Sequence, residues 1–198
     1  MDMFNDTMKR ISLSDTAHGI IRESLQAGNV AIDATLGNGH DALFLAQCVG
    51  ESGHVYGFDV QQQALQASQQ RLMQHDLLAR ATLIHACHAQ MIQHTPAKLH
   101  GQIKAIMFNL GYLPGADKHI ITKTSSTLLA MNTACLLLAE QGVLTVMAYP
   151  GHAGGDEETL SLEKWLQQLD ADCFQTQTIF SHHHQASAPR LFVIRKLL

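Results

Sequence analysis

Charge is scarce in this chain. Of its 198 residues only 15% are Asp, Glu, Lys or Arg, while 46% are hydrophobic. That balance excludes a self-repelling, disordered polymer and marks a compact fold. Long apolar runs are missing too: no uncharged stretch reaches the roughly 18 residues that a membrane-spanning helix needs. Residues 1–14 scatter Asp2, Asp6, Lys9 and Arg10 among apolar neighbours, which leaves no signal-peptide core. Only four cysteines occur, Cys48, Cys87, Cys135 and Cys173, and none forms a CxxC pair. Reduced thiols, no structural metal, no membrane and a cytoplasmic setting are the expectations. Positive charge is also short, with 13 Lys and Arg against 17 Asp and Glu, a net charge of −4. A broad electrostatic grip on nucleic acid is disfavoured, although a local basic patch is not. Histidine is the residue in surplus, also at 13. No repeat or low-complexity segment divides the chain, so residues 1–198 read as a single domain with 1–13 as an N-terminal extension.

Strands and helices alternate along it. Ser14 is a candidate cap for a helix reaching about residue 26, with Ala17, Ile20, Ile21 and Leu25 on one side. Short apolar runs at 30–32, 54–59, 81–86, 104–109 and 142–149 read as strands. Helical patterns lie between them at 40–48, 61–75 and up to 138, and another occupies 154–170. The runs at 173–180 and 190–197 follow each other without a helix, which suggests a hairpin. Five alternations predict an α/β fold, a parallel sheet with helices on both faces and one antiparallel strand. Such a sheet binds its ligand at the carboxyl ends of its strands. Those ends are Asp33 to Gly39, Asp59, Ala86 to His88, Asn109 to Tyr112, and Tyr149 to His152.

The first of them reads "DATLGNGHD" (33–41). Gly37 and Gly39 permit a tight turn and close backbone approach to a ligand. Asp59 follows Gly39 by twenty residues, the spacing of an acid that accepts hydrogen bonds from a ribose diol. A dinucleotide and S-adenosylmethionine both carry that diol. Asp33 and Asp41 separate the two, because they flank the place where a pyrophosphate would sit. Two like charges about 4 Å apart cost on the order of 4 kcal/mol at an effective dielectric near 20. S-adenosylmethionine has no phosphate and carries a sulfonium and an ammonium, so the acidic turn suits it. An NAD-dependent oxidoreductase is further disfavoured by the lack of an evident Tyr-Lys or His pair for hydride transfer.

"DATLGNGHDALFLA" (33–46), "VYGFDVQQQAL" (55–65), "MFNLGYLPGADK" (107–118) and "YPGHAGGDEE" (149–158) together resemble the bacterial rRNA methylase family. Its members act as tRNA wobble-uridine methyltransferases that N-methylate 5-aminomethyl-2-thiouridine. The resemblance runs in order over residues 14–198. It implies a Rossmann-like class I methyltransferase fold, seven strands with the last antiparallel, using S-adenosylmethionine and releasing S-adenosyl-L-homocysteine. It implies donor-binding roles for Asp33, Thr35, Gly37, Asn38, Gly39 and Asp41 around the glycine turn, for Asp59, Val60 and Gln61 after the second strand, and for His88 after the third. Its implied partner is the anticodon region of tRNA. The stretch "SHHHQASAP" (181–189) departs from the family pattern on the substrate side.

"NLGY" (109–112) has the shape of the tetrapeptide that amino-directed methyltransferases place after the fourth strand. Asn109 is the candidate to hold both donor and target amine, and Tyr112 to stack on the base. Leu110, Gly111, Lys118, Tyr149 and His152 are further substrate-side candidates. His152 or Asp117 is the candidate base, although alignment outweighs a base in an in-line displacement. His182 to His184 read as a solvated or phosphate-facing loop, since neighbours in an extended segment point to opposite faces. Few positive residues are available for RNA: Lys9, Arg10, Lys118, His119, Lys123, the three histidines and Arg190. A homodimer would double that rim. An rRNA or small-molecule methyltransferase is the alternative within the class, and a non-catalytic nucleotide-binding module the alternative outside it.

Overall fold

The computed structural model describes residues 12–111, 121–151, 154–181 and 187–198. Its strands are β1 Val30–Asp33, β2 His54–Asp59, β3 Ala81–His85, β4 Ile103–Asn109, β5 Leu138–Ala148, β6 Phe174–Phe180 and β7 Arg190–Lys196. They form one sheet in the order β3-β2-β1-β4-β5-β7-β6. β1 to β5 are parallel, and β7 runs antiparallel to both β5 and β6. The expected hairpin is therefore the edge of the sheet, with the last strand in sequence inserted inside it. The order reverses between β1 and β4, which opens a crevice at their carboxyl ends.

The helices are α1 Leu13–Ser24, α2 His40–Cys48, α3 Gln62–Gln74, α4 Met91–His94, α5 Thr124–Leu137 and α6 Gly155–Leu166. Strand side chains alternate between the two faces, and β4 shows it clearly. Ala105 and Met107 join α1, α2 and α3 through Ile21, Leu45 and Leu72. Ile106 and Phe108 join α4, α5 and α6 through Met91, Met131 and Leu162. Layers on both faces bury most of the central strands β1, β4 and β5, which is why their sequences read as continuous apolar runs, while β3 and β6 at the edges stay partly exposed.

The helix expected at 154–170 ends at Leu166 and most other ends shift by a residue or two, and two of the changed boundaries have a clear local reason. α1 is capped by Ser12, not Ser14: Ser12 Oγ accepts the Asp15 amide at 3.0 Å and the Asp15 carboxylate answers the Ser12 amide, a reciprocal capping box. β5 starts at Leu138, four residues early. Leu138 leaves α5 and pairs at once with Ile103, and a bulge then carries the register to Ala105 opposite Val143. Gln141 turns this bulge in the left-handed region with φ 55°.

Gly57 in β2 lies beneath the glycine turn. A Cβ there would stand 2.5 Å from Leu36 Cδ2, and Leu36 is buried at the centre of that turn. Gly57→Ala is expected to cost about 1–3 kcal/mol by overpacking, read from urea unfolding. Combined with Leu36→Ala the cost should fall well short of the sum of the two. An additive double variant would show that the two residues do not share this space.

Candidate active site

β1 ends in Asp33, a carboxylic acid with no solvent exposure. Its Oδ1 accepts the Thr35 amide at 3.1 Å, while Oδ2 has no hydrogen-bond partner. Burial pushes the Asp33 pKa well above its ordinary value, the charge of Asp41 adds to this, and Asp59 contributes further; the amides of Thr35 and Ala42 pull the other way. Three acids thus meet at the end of β1. Asp41, in the first turn of α2, is held at Oδ1 by His18 Nε2 of α1 at 2.7 Å. That imidazole stacks flat on Phe44, ring centroids 3.9 Å apart.

Asp59, at the end of β2, spans the glycine turn and the next one. Its Oδ2 accepts the Gly37 amide at 3.0 Å and its Oδ1 the Gln61 amide at 2.9 Å. Gly39 adopts φ 75° and caps α2; a Cβ at this position would lie 2.7 Å from Ser68 Cα. α3 holds the turn from behind, with Ser68 Oγ donating to the Gly37 carbonyl at 3.2 Å and Arg71 Nε to the Asn38 carbonyl at 2.6 Å. Val60 is exposed, and its carbonyl accepts from His85. His88 turns its ring inward, edge-on to Phe108, with Nε2 unpartnered. Burial lowers its pKa to about 4, so the ring is neutral near pH 7.

On the other side of the switch point, Thr35 Oγ1 accepts the Asn109 amide at 2.7 Å. Asn109 itself is exposed at the rim. Its side chain hydrogen-bonds the Tyr149 phenol, whose pKa burial raises together with the charge of Asp41. Asp41 and Asn109 also line one small cleft, with Met107 and Met147 as its floor. Leu110 is turned into the core, and Gly111 continues the rim with φ 119°. Tyr112, Asp117, Lys118, His119, His152 and His182 to His184 lie outside the described residues.

Proximity in space thus gathers Asp33, Thr35, Gly37, Gly39, Asp41, Asp59, Gln61, Asn109 and Tyr149 at one edge. His18, Ser68 and Arg71 escaped the sequence reading because each acts on a residue more than twenty positions away. His18 does carry a signal: it sits beside Ala17 on the apolar side of α1, where a polar ring needs a partner.

The donor set itself says which ligand this edge fits. A pyrophosphate needs free amides at the glycine turn and a bare helix N-terminus. Here Asp59 takes the Gly37 amide, the Gly39 amide bonds the Leu36 carbonyl at 2.8 Å, and Asp33 faces the start of α2. A buried acid with one oxygen unpartnered, among two further carboxylates, fits a cation. Among the described residues no group of three or more His, Cys, Asp or Glu converges as a metal site, and no helix is long and apolar enough to cross a membrane.

Comparison with known proteins agrees with this chemistry. The family model described as "Putative rRNA methylase" matches residues 55–195. A chloroplastic tRNA (mnm(5)s(2)U34)-methyltransferase of Arabidopsis thaliana is 34% identical over 157 residues, 75% of this chain. The matched region spans 57% of that relative's own length. A "putative rRNA-methylase" from Clostridium thermocellum superposes with a TM-score of 0.89 at 36% identity, covering 96% of this chain and all of the other. A "putative methyltransferase" from Streptococcus mutans, crystallised in complex with SAH, gives a TM-score of 0.83 at 32% identity with the same coverage. The chain belongs to this rRNA methylase family, and its fold is that of the class I S-adenosylmethionine-dependent methyltransferases.

Proposed function

We propose that this methyltransferase acts on RNA, N-methylating the 5-aminomethyl group of a tRNA wobble uridine, with Asp33, Asp41 and Asp59 holding the donor and Asn109 the acceptor. The observation that carries it is the meeting of Asp41 and Asn109 in one cleft at the switch point, with Tyr149 as the side-chain partner of Asn109. S-adenosylmethionine supplies a methyl group on a positively charged sulfur. Asp33 and Asp41 offset the positive charge, Asp59 accepts from the ribose diol, and Gly37 to Gly39 let the backbone come close. Thr35, Asn38, Val60, Gln61 and His88 complete the donor side. On the acceptor side Asn109, whose side chain partners Tyr149, offers its Oδ1 to an N–H of the target amine. Orientation of that kind is worth roughly 7–11 kcal/mol, more than a general base supplies. The acceptor's identity is supported by the activity named for the chloroplastic relative. Gly111, Tyr112, Lys118 and His152 are proposed for the same acceptor side, whereas Leu110 packs in the core and drops out of it.

Deleting the gene and measuring tRNA nucleosides by mass spectrometry tests the acceptor. The expected result is loss of the N-methylated wobble nucleoside and accumulation of its 5-aminomethyl precursor, restored by the wild-type gene. Asn109→Ala should lower kcat by about 10²-fold while leaving the affinity for S-adenosylhomocysteine much less changed. Unaltered wobble nucleosides alongside an altered rRNA nucleoside would instead favour the rRNA reading.

Asp33 gives the donor site a pH dependence whose sign is fixed. Its folded pKa is raised above the ordinary 3.8, so the folded state keeps a proton that the unfolded chain releases. Stability is therefore lost as pH rises from that value towards the folded pKa. Asp33→Asn should raise Tm at neutral pH. A cationic ligand favours the ionised acid, so affinity for S-adenosylhomocysteine, with its ammonium, should rise with pH and binding should release a proton to buffer. In Asp33→Asn the affinity should lose this rise and weaken by about 30-fold or more, equivalent to about 2 kcal/mol. Titration calorimetry in two buffers of different ionisation enthalpy measures both, and a pH-independent wild type would remove Asp33 from the donor site.

A further inference from the structure

Glu158 is 3% exposed, near the start of α6 and away from the three acids of the donor side. Burying a carboxyl group is costly unless its oxygens are hydrogen-bonded. Both are, and each by a hydroxyl: Thr122 Oγ1 donates to Oε2 at 2.7 Å, and Thr127 Oγ1 of α5 donates to Oε1 at 2.6 Å. Thr122 then has its single proton committed to Glu158, which aims its lone pairs elsewhere. One receives the Gly111 amide at 3.0 Å. The Thr122 amide returns the contact, donating to the Gly111 carbonyl at 3.0 Å.

Gly111 is the third residue of "NLGY", and its φ of 119° is one that glycine adopts freely and other residues rarely, so hydrogen bonds and not sterics select it here. Asn109 is therefore fixed from both directions along its own chain. Before it, Thr35 accepts the Asn109 amide; after it, the Leu110 amide reaches the Met147 carbonyl at 2.9 Å and Thr122 clamps Gly111. α6 in turn follows the loop that begins at Tyr149, the side-chain partner of Asn109. One carboxylate ties together the segments that follow β4 and β5.

We propose that Glu158, acting through Thr122, is a positioning residue for the acceptor site: it orients the Thr122 hydroxyl so that the backbone of Asn109 to Gly111 holds the course that aims Asn109 at the target amine. This role rests on Asn109 holding the acceptor. The carboxylate matters because it accepts at both oxygens. An amide in its place would present an N–H to one of the two hydroxyls, and that hydroxyl would have to reverse. A bare staple between α5 and α6 would instead affect stability alone.

The experiment uses the full chain and three variants, Thr122→Val, Thr122→Ser and Glu158→Gln, with tRNA from the deletion strain as acceptor. Thr122→Val keeps the shape and removes the hydroxyl. It should lower kcat by about ten-fold or more while the Kd for S-adenosylhomocysteine stays within about two-fold. Thr122→Ser restores the hydroxyl and should bring kcat back to within about two-fold of wild type. Hydrogen exchange at the Gly111 amide should accelerate by about ten-fold or more in Thr122→Val and in Glu158→Gln, and stay slow in Thr122→Ser. Wild-type kcat and KM in Thr122→Val overturn the proposal, as does equal impairment of the Val and Ser variants. Should Glu158→Gln not fold, the two Thr122 variants decide alone. If Asn109→Ala is fully active, the acceptor role of Asn109 falls, and the Gly111 exchange rates still report whether Glu158 fixes that backbone.

Discussion

A carboxylic acid buried where β1 ends is the constraint around which this edge of the molecule is arranged. Ionising Asp33 inside the sheet is opposed by burial and by two neighbouring acids, yet its position is fixed by β1 pairing on both sides, with β2 and with β4. The chain cannot move the acid away without breaking register at the centre of the sheet. A group held in this way stores electrostatic cost that a cationic ligand relieves, which converts an unfavourable burial into selectivity for charge.

The glycine turn follows from that constraint. With Asp33 facing the start of α2 and Asp59 holding the Gly37 amide, the polar groups that a phosphate would use are already engaged. The same pair of glycines that serves a dinucleotide elsewhere is here braced by carboxylates in front and by Ser68 and Arg71 behind. The ligand is selected by what surrounds the turn, since the turn alone is common to both chemistries.

Sequence made the local features legible. The helix at 40–48 and the strand at 54–59 are written in short-range periodicity, and the structure has them at those residues. Asp33, Asp41 and Asp59 were legible because strand ends in an alternating chain converge on one edge. Contacts between distant residues were not. Glu158 stands third in the acidic run Asp156-Glu157-Glu158 in the first turn of α6, where acids complement the helix N-terminus. Only the approach of α5 and of Thr122 turns the third of them inward. Ser12 and Ser14 are equally good caps by composition, and the reciprocal geometry of Asp15 decides between them. The early start of β5 has its cause in Ile103, a strand away.

The two sides of the crevice are joined by very little material. Ala34 donates to the Met107 carbonyl at 2.9 Å and Thr35 accepts from Asn109 at 2.7 Å, so β1 and β4 remain in register one residue past the sheet. The acids at the end of β1 and the Asn109 amide are thus carried on a single hydrogen-bonded frame, not on independent loops. Relative placement errors between reacting groups are what an alignment-driven displacement tolerates least. Side chains mounted on adjacent strands of a buried parallel sheet share its rigidity. Asn109 is exposed and belongs to the rim, yet its amide, the next amide and Gly111 are each tied to a different neighbour. A surface residue acquires the precision of the core by being bonded to it at every peptide.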